Sequence, residues 1–348
     1  MTSAITRAAL FVFACSLLLC ACENTRIVAT MNTDTSTHPE DSSDSNSLPD
    51  TTENADTNTD TETDTGPDTD TGTEPMDDTA VPDCSAATAV AGDSTRSVMV
   101  NGIQRSYVLH IPGTYSGDAA VPLILDFHPI GDSAAGEQSN SPYPAVTDGE
   151  GVIMAFPDGL AGPLGAAWNI GPCCVDNAND VAFARAVVDD VSRIACINTN
   201  RIYAVGTSMG GGMVHHLGCE AADLFAAVAP AAFDLIEETV DACAPARPLT
   251  VVTFRGTADP LVPYGGGYSD IVPNHPITFL GAVNTFEKWA ALNQCSGAAQ
   301  SFDADCLRYP GEQCAMGVEV ILCTEENGGI QHGNAALAWP ILKQYSLP

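Results

Sequence analysis

The sequence predicts an α/β fold in which a mostly parallel central sheet carries helices on both faces. Short apolar runs alternate along residues 84–348 with longer stretches whose apolar residues recur at helical spacing. The short runs are apolar almost throughout, which is typical of strands buried on both faces of a parallel sheet. A segment of alternating polarity with Asn101-Gly102 at its centre comes first, and it indicates an opening antiparallel hairpin.

The predicted elements follow in strand–helix order after the hairpin, which covers residues 97–111. Strands are predicted at Pro122–Phe127, Val152–Phe156, Arg201–Gly206, Phe225–Val228, Leu249–Phe254 and Val318–Cys323. Helices are predicted at Asp176–Ile194, Met209–Cys219, Ile277–Leu292 and Ala335–Tyr345. Repeated strand–helix units of this kind place helices over both faces of one sheet.

Residues 1–22 have the pattern of an export signal. Arg7 precedes the apolar run Ala8–Leu19, which is too short for a permanent membrane span. The run ends in Leu19-Cys20-Ala21-Cys22, which resembles the processing box of bacterial lipoproteins. That resemblance implies a lipidated Cys22 and a membrane contact through the lipid alone. Ordinary signal cleavage that leaves a spare cysteine is the alternative.

Residues 23–83 are polar and acidic, with 17 acidic residues and one basic residue. They repeat Thr-Asp and Thr-Glu units and hold almost no large apolar side chain. Such a segment cannot bury enough surface to offset its chain entropy. We expect a disordered tether that holds the domain of residues 84–348 away from the cell surface, with metal binding by its carboxylates as the alternative.

Charge and cysteine content limit the functions open to the remaining domain. Residues 84–348 carry 27 acidic and 10 basic side chains, which argues against nucleic acid as a partner, because phosphate binding needs clustered Lys and Arg. Their ten cysteines predict disulfides in an exported protein, and we expect Cys219–Cys243 and Cys295–Cys323 among the pairs. No Cys-x-x-Cys pair with matching histidines occurs, so we expect no metal site. No cofactor is expected either.

The segment Gly206-Thr207-Ser208-Met209-Gly210 fits the pattern Gly-x-Ser-x-Gly. A predicted strand leads into it and a predicted helix leads out, and in that setting a tight turn lifts a serine hydroxyl above the sheet edge. Glycine is needed on either side because larger side chains would clash in the turn. We therefore predict Ser208 as a nucleophile, with the Met209 N–H at the helix N-terminus facing the developing oxyanion.

A serine nucleophile needs a general base, and the base needs an orienting carboxylate. Downstream of Ser208 four histidines remain. His215 and His216 lie on the helix that leaves the turn and are expected to be partly buried, while His275 precedes a predicted helix as a candidate substrate contact. His332 follows the last predicted strand and a glycine-rich loop, which is the position expected of the base.

The orienting carboxylate is predicted in the loop after the strand Leu249–Phe254, where Asp259 lies. Three other aspartates compete for this role but follow no strong strand: Asp234, Asp241 and Asp270. A second oxyanion donor is expected in the loop after Pro122–Phe127. Because Pro129 has no N–H, Ile130 is the expected donor.

Several longer stretches within residues 84–334 form a pattern beyond the serine motif: Gly102–Pro112, Leu123–Gly131, Trp168-Asn169, Cys173-Cys174, Asp180–Phe183, Val188–Asp190, Arg201–Met213, Gly256–Tyr264 and the Gly-Gly-x-x-His of residues 328–332. Together they resemble the extracellular polyhydroxybutyrate-depolymerase-like esterases, which include feruloyl and acetylxylan esterases of the first carbohydrate esterase family. The resemblance implies an α/β-hydrolase fold with Ser208 as nucleophile, Asp259 as orienting acid, and His332 as general base and then acid.

Two departures from the family pattern concern the substrate. The family has His-Gly where this chain has His128-Pro129, and it has Thr-Trp-Pro-Gly after the catalytic histidine where this chain has Gly333-Asn334-Ala335. That family tryptophan commonly lines the substrate side, so the family is a weaker guide to the substrate here. Trp168, Tyr264 and His275 are candidates for the substrate side and equally for packing.

These observations predict a secreted, surface-tethered serine carboxylesterase that acts as a monomer on a polymeric ester substrate. The resemblance implies feruloyl or acetyl esters of plant polysaccharide, with hydroxyalkanoate polyesters as an alternative. A peptidase on the same fold would usually bring a larger gating domain, for which residues 84–348 leave no room. A non-catalytic surface-binding lipoprotein is the alternative from another class, and Pro129 alone favours it.

Overall fold

The computed structural model describes residues 84–329 and 332–348. The predicted export signal at 1–22, the acidic segment at 23–83 and the predicted lipidation site at Cys22 lie outside these residues. So does part of the glycine-rich loop before His332. Within the described residues, no helix is both long enough and apolar enough to span a membrane.

The strands form one large sheet and two small pairs. In chain order they are β1 Gly92–Val100, β2 Ile103–Ile111, β3 Val121–Phe127, β4 Ile153–Pro157, β5 Leu160–Gly162, β6 Gly165–Ala167, β7 Ile197–Thr207, β8 Ala227–Ala231, β9 Thr250–Gly256, β10 Gly267–Ser269, β11 Ile277–Phe279, β12 Gln300–Phe302, β13 Cys306–Tyr309 and β14 Val320–Glu325. The large sheet has ten strands in the order β1-β2-β4-β3-β7-β8-β9-β14-β13-β12. Its centre, from β4 to β14, is parallel, whereas the pairs at both edges are antiparallel.

Helices cover both faces of this sheet. They are α1 Ala134–Asn140, α2 Pro144–Thr147, α3 Asp180–Ser192, α4 Met209–Glu220, α5 Glu237–Val240, α6 Ala282–Leu292 and α7 Ala335–Leu342, with short 3₁₀ turns at Cys84–Ala86, Asp148–Glu150, Gly311–Gln313 and Ala315–Gly317. Leu123 and Leu125 of β3 enter a core shared with α3, α4 and α6, while Ile124 between them enters a second core with α1 and α7. Side chains of a strand alternate between its faces. The predicted α/β fold with helices on both faces is confirmed.

Two helices begin later than the sequence predicts. The side chain of Asn179 accepts a hydrogen bond from the Ala182 N–H at 2.8 Å, and this cap starts α3 at Asp180. The predicted start of α6 at Ile277 is wrong because residues 277–279 form β11, which pairs with β10. The helix begins only after Gly281, whose φ of 90° is left-handed backbone that glycine tolerates.

The ten cysteines of the described residues form five disulfides: Cys84–Cys196, Cys173–Cys174, Cys219–Cys243, Cys295–Cys314 and Cys306–Cys323. The predicted pair Cys219–Cys243 is confirmed. The predicted pair Cys295–Cys323 is wrong, because β13 places Cys306 directly opposite Cys323 in the register of the sheet. Disulfides in this number are typical of proteins folded in an oxidising compartment.

Candidate active site

Ser208 lies in a tight turn between the end of β7 and the start of α4. Its φ of 54° and ψ of −123° are unusual for a residue with a side chain, and its N–H donates to the Ala231 carbonyl at 2.9 Å. A Cβ at Gly210 would overlap the Phe127 carbonyl oxygen, and one at Gly206 would lie 2.7 Å from the Gly210 oxygen. Both glycines are therefore required for the turn, which exposes the serine at the carboxyl edge of the sheet.

Asp259 lies in the loop after β9 and is 6% exposed. Its Oδ1 atom accepts hydrogen bonds from the N–H groups of Leu261 at 2.9 Å and Val262 at 3.0 Å. Its Oδ2 atom is buried and has no hydrogen-bond partner among the described residues. A buried carboxylate oxygen without a partner can accept a hydrogen bond from a side chain on a neighbouring loop.

A buried ion pair supports the same loop. Arg255 at the end of β9 pairs with Asp234, and its Nη2 atom donates to the Val262 carbonyl at 2.7 Å. Asp234, which competed with Asp259 in the sequence, is therefore occupied by a guanidinium. The pair holds Val262 in place, and through its N–H it holds Asp259.

His332 lies between β14 and α7, with a side chain 37% exposed. Burial lowers its pKa despite the opposing effect of the Asp132 carboxylate. The imidazole is therefore neutral near pH 7 and able to accept a proton. Its Nε2 atom is 3.9 Å from Oε1 of Glu137.

The loops that carry these three residues adjoin one another. The Ala258 N–H donates to the Gly328 carbonyl at 2.8 Å, which joins the Asp259 loop to the His332 loop. Next to His332, a Cβ at Gly333 would lie 3.4 Å from the side chain of Ala231, whose carbonyl accepts from Ser208. Among the described residues, no hydrogen bond directly joins Ser208, His332 and Asp259. In enzymes without substrate, catalytic hydrogen bonds are often long and tighten only in the complex.

The two histidines on α4, His215 and His216, are not placed to act as the base for Ser208. His215 is buried on α4 as expected, and its Nδ1 atom accepts from the Trp289 indole at 3.0 Å. Burial lowers its pKa to about 3. His216 lies on the same helix, and burial lowers its pKa too.

The loop after β3 is fixed by hydrogen bonds on both sides. The indole of Trp168 donates to the His128 carbonyl at 2.9 Å, and the Gly131 N–H donates to the Ala166 carbonyl at 2.7 Å. The N–H of Ile130 has no such partner within residues 84–329 and 332–348. It is therefore free for an oxyanion, as is the N–H of Met209 at the N-terminus of α4.

A cavity of about 60 Å³ opens beside Ser208. Ile130 and Met209 lie along it together with apolar side chains that include Phe233 and Val272. His275 also lines it, and its Nδ1 atom lies 2.9 Å from the Pro172 carbonyl. An acyl group attached to Ser208 would meet this largely apolar lining.

The other two candidates for the substrate side lie elsewhere. Trp168 has no exposed surface and supports the loop after β3 from beneath. Tyr264 is half-buried and its hydroxyl is 2.7 Å from Oγ1 of Thr324, away from the lining of the cavity. Of the three candidates, His275 alone borders the cavity at Ser208.

Sequence reasoning missed Glu137 of α1, which is buried next to His332. Burial and the nearby Asp126 carboxylate raise the pKa of Glu137 above its ordinary value. Ser141 donates to Asp126 at 2.6 Å from the other side. No local pattern marks Glu137, because it lies in a short polar stretch whose burial depends on the whole fold.

In the described part of the chain, no group of three or more His, Cys, Asp or Glu side chains is arranged to hold a metal ion.

No protein-family model matches this chain. The chain is 45% identical over 248 residues to feruloyl esterase B of Piromyces equi, over 70% of this chain and 46% of that protein. It is 31% identical over 157 residues to feruloyl esterase D of Neurospora crassa, over 42% of this chain and 51% of that protein. The chain thus spans about half the length of these relatives.

Among solved structures, an acetyl xylan esterase from Aspergillus awamori superposes with a TM-score of 0.52 at 13% identity, over 72% of this chain and 98% of that chain. At this identity the similarity concerns the fold alone. By fold the chain is an α/β-hydrolase, and by sequence it is similar to feruloyl esterases, which confirms the resemblance expected from its motifs.

Proposed function

We propose that residues 84–348 form a serine carboxylesterase. The observation that supports this best is the strained turn at Ser208, which projects a hydroxyl toward a cavity bordered by Ile130 and Met209. The N–H groups of these two residues have no hydrogen-bond partner in the part of the chain that the structure describes. Strain of this kind is retained where function requires it. Asp259, whose buried Oδ2 has no partner among the described residues, and the neutral His332 lie in adjoining loops and supply the rest of a nucleophilic triad.

The reaction proceeds through an acyl-enzyme. His332 takes the Ser208 proton as the hydroxyl oxygen attacks the ester carbonyl, and Asp259 stabilises the imidazolium. The N–H groups of Met209 and Ile130 hold the oxyanion. The alcohol leaves with the proton from His332, after which water attacks the acyl-enzyme and releases the acid.

The proposed substrates are feruloyl or acetyl esters of plant polysaccharide, on which the domain acts as a monomer. The names of the sequence relatives favour a feruloyl group, and the apolar cavity beside Ser208 suits an acyl chain without charge. Hydroxyalkanoate polyesters remain the second class, because their acyl groups are also uncharged. A panel of methyl ferulate, p-nitrophenyl acetate and a short hydroxybutyrate oligomer separates these possibilities.

A fluorophosphonate probe tests the nucleophile directly. We expect the wild-type domain to be labelled and Ser208→Ala to lose both labelling and ester turnover. Ser192→Ala is the matched control, because this exposed serine lies at the end of α3 and its hydroxyl donates to the Val188 carbonyl on the same helix. If the wild type is folded but is neither labelled nor active on any ester, the esterase proposal is wrong and the non-catalytic surface-binding protein takes its place.

We further propose that Cys22 is lipidated and that residues 23–83 act as a tether. The proposal is supported by the Leu-x-x-Cys pattern and by the acidic composition described above. In a bacterial host, the full chain should take up radiolabelled palmitate and partition into detergent, and Cys22→Ala should do neither. Equal partitioning of both forms would rule out the anchor.

A further inference from the structure

His275 is a polar side chain in the largely apolar lining of the cavity at Ser208. Of the described residues that border this cavity, Ser208, Ser269 and His275 have polar side chains. The others are apolar or belong to the Cys173–Cys174 disulfide. His275 is partly exposed, so a molecule that enters the cavity can reach its ring. The ester mechanism gives this histidine no role.

A hydrogen bond fixes the position of the proton on the His275 ring. The Nδ1 atom lies 2.9 Å from the Pro172 carbonyl oxygen. A carbonyl oxygen can only accept, so Nδ1 carries the hydrogen and donates it. In the neutral imidazole the other nitrogen, Nε2, is then an acceptor. Nε2 has no hydrogen-bond partner within residues 84–329 and 332–348, so a donor on a ligand can bind to it.

His275 lies away from the nucleophile along one wall of the cavity. The wall begins beside Ser208 at Met209, where the Sδ atom of Met209 lies 3.7 Å from Sγ of Cys174. From Cys174 the chain runs back two residues to Pro172, whose carbonyl accepts from His275. An acyl group on Ser208 that extends along this wall therefore brings its distal end, and not its carbonyl, toward His275.

We propose that His275 is a specificity-determining residue that selects acyl groups with a hydroxyl at their distal end, as in the hydroxycinnamoyl class; this inference rests on the proposed esterase function. The para hydroxyl of such a group lies across the ring from the ester carbonyl and can donate to Nε2. An acyl group without this donor would displace water from Nε2 and leave it unpaired in an apolar cavity. Sites that bind a hydroxyl discriminate against analogues that lack it for this reason.

The decisive measurement compares two esters that differ in one group. Methyl p-coumarate carries the para hydroxyl, and in methyl p-methylcinnamate a methyl group of similar size replaces it. For the wild type we expect kcat/KM to favour the coumarate roughly two- to tenfold, which is one neutral hydrogen bond expressed as a rate ratio. The acyl group of p-nitrophenyl acetate has no distal end, so this third ester measures the ester chemistry alone.

Two variants separate the hydrogen bond to the substrate from the hydrogen bond to Pro172. In His275→Asn the amide nitrogen can take the position of Nδ1 and keep the bond to the carbonyl, but the acceptor at Nε2 is lost. The coumarate preference should then fall to about one. In His275→Gln the longer side chain can place its amide oxygen near the position of Nε2, so the preference should persist while the bond to Pro172 is lost.

Thr278→Ala is the matched control. Thr278 lies on β11 between Ile277 and Phe279, which both border the cavity, so its side chain is on the opposite face of the same β-hairpin. Its coumarate preference should equal that of the wild type. Melting curves compare the folding of all the variants, and the rate on p-nitrophenyl acetate corrects for any loss of active protein.

Two results would overturn the inference. One is a wild type that is active on p-nitrophenyl acetate but turns over both cinnamates equally well. The other is a His275→Asn variant that keeps the preference while His275→Gln slows all three esters alike, because His275 would then only tie its loop to Pro172. Failure of the esterase proposal is a separate result, in which the folded wild type takes no fluorophosphonate label and turns over no ester, p-nitrophenyl acetate included.

Discussion

The two oxygen atoms of the Asp259 carboxylate have different surroundings, and we expect them to have different roles. Oδ1 accepts from two backbone N–H groups, whereas Oδ2 is buried and has no partner within residues 84–329 and 332–348. In Asp259→Asn the amide oxygen alone can accept from those N–H groups, so the NH₂ group must occupy the position of Oδ2. There it donates toward His332 and favours the wrong imidazole tautomer.

The magnitudes differ for activity and stability. With the wrong tautomer, kcat should fall by about 10⁴. Stability should change by less than about 1 kcal/mol, because both hydrogen bonds to Oδ1 survive. Asp259→Ala should lose activity similarly, but it also leaves the buried Val262 N–H without an acceptor, at a cost of about 1–3 kcal/mol.

The assay combines ester kinetics with thermal melting. Asp259→Asn should melt close to the wild type, and Asp259→Ala should melt roughly 3–10 °C lower. Asp270→Asn is the matched control, an exposed aspartate in the same part of the chain. Near-normal turnover in Asp259→Asn, or equal destabilisation of both Asp259 variants, would refute the separate roles of the two oxygens.

Three further predictions concern the surroundings of this site. Because burial lowers the pKa of His332, the acid limb of the kcat/KM pH profile should have its midpoint below the ordinary histidine value of 6.5, and a midpoint above it would contradict the assignment. Gly210→Ala forces a Cβ onto the Phe127 carbonyl, so denaturant unfolding should show a loss of at least about 3 kcal/mol. Trp168→Phe removes the donor to the His128 carbonyl; it should cost about 1–3 kcal/mol and slow acetyl and feruloyl esters alike. A selective loss for feruloyl esters would instead indicate a direct substrate contact of Trp168.

Local patterns predict the parts of this fold that depend on neighbouring residues. The Asn101-Gly102 turn has left-handed φ values of 51° and 81°, as a tight hairpin requires, and it joins β1 to β2. The central strands are apolar because they are buried on both faces. By contrast, β12 and β13 are short, and β13 carries the exposed Leu307, so no apolar run marks them. Missing β13 led directly to the wrong partner for Cys323.

The candidate site also has residues that local patterns predict and residues that they do not. Ser208, Asp259 and His332 each follow a strand, so chain order is enough to predict them. The position of Glu137 beside His332 depends on how α1 packs, and no local pattern carries that information. Likewise, the sequence shows that Cys173 and Cys174 are adjacent but not that they border the cavity at Ser208. The spacing of residues along the chain does not predict contacts between segments that are distant in sequence.

The Cys84–Cys196 disulfide has a mechanical consequence. Cys196 directly precedes β7, a central strand that is hydrogen-bonded on both sides and ends directly before Ser208. A pulling force that enters through the residues before Cys84 would pass along this bond to the base of β7. The edge hairpin of β1 and β2 would then bear little of the load. Unfolding would require shear between the central strands, instead of the easier peeling of an edge strand from the sheet.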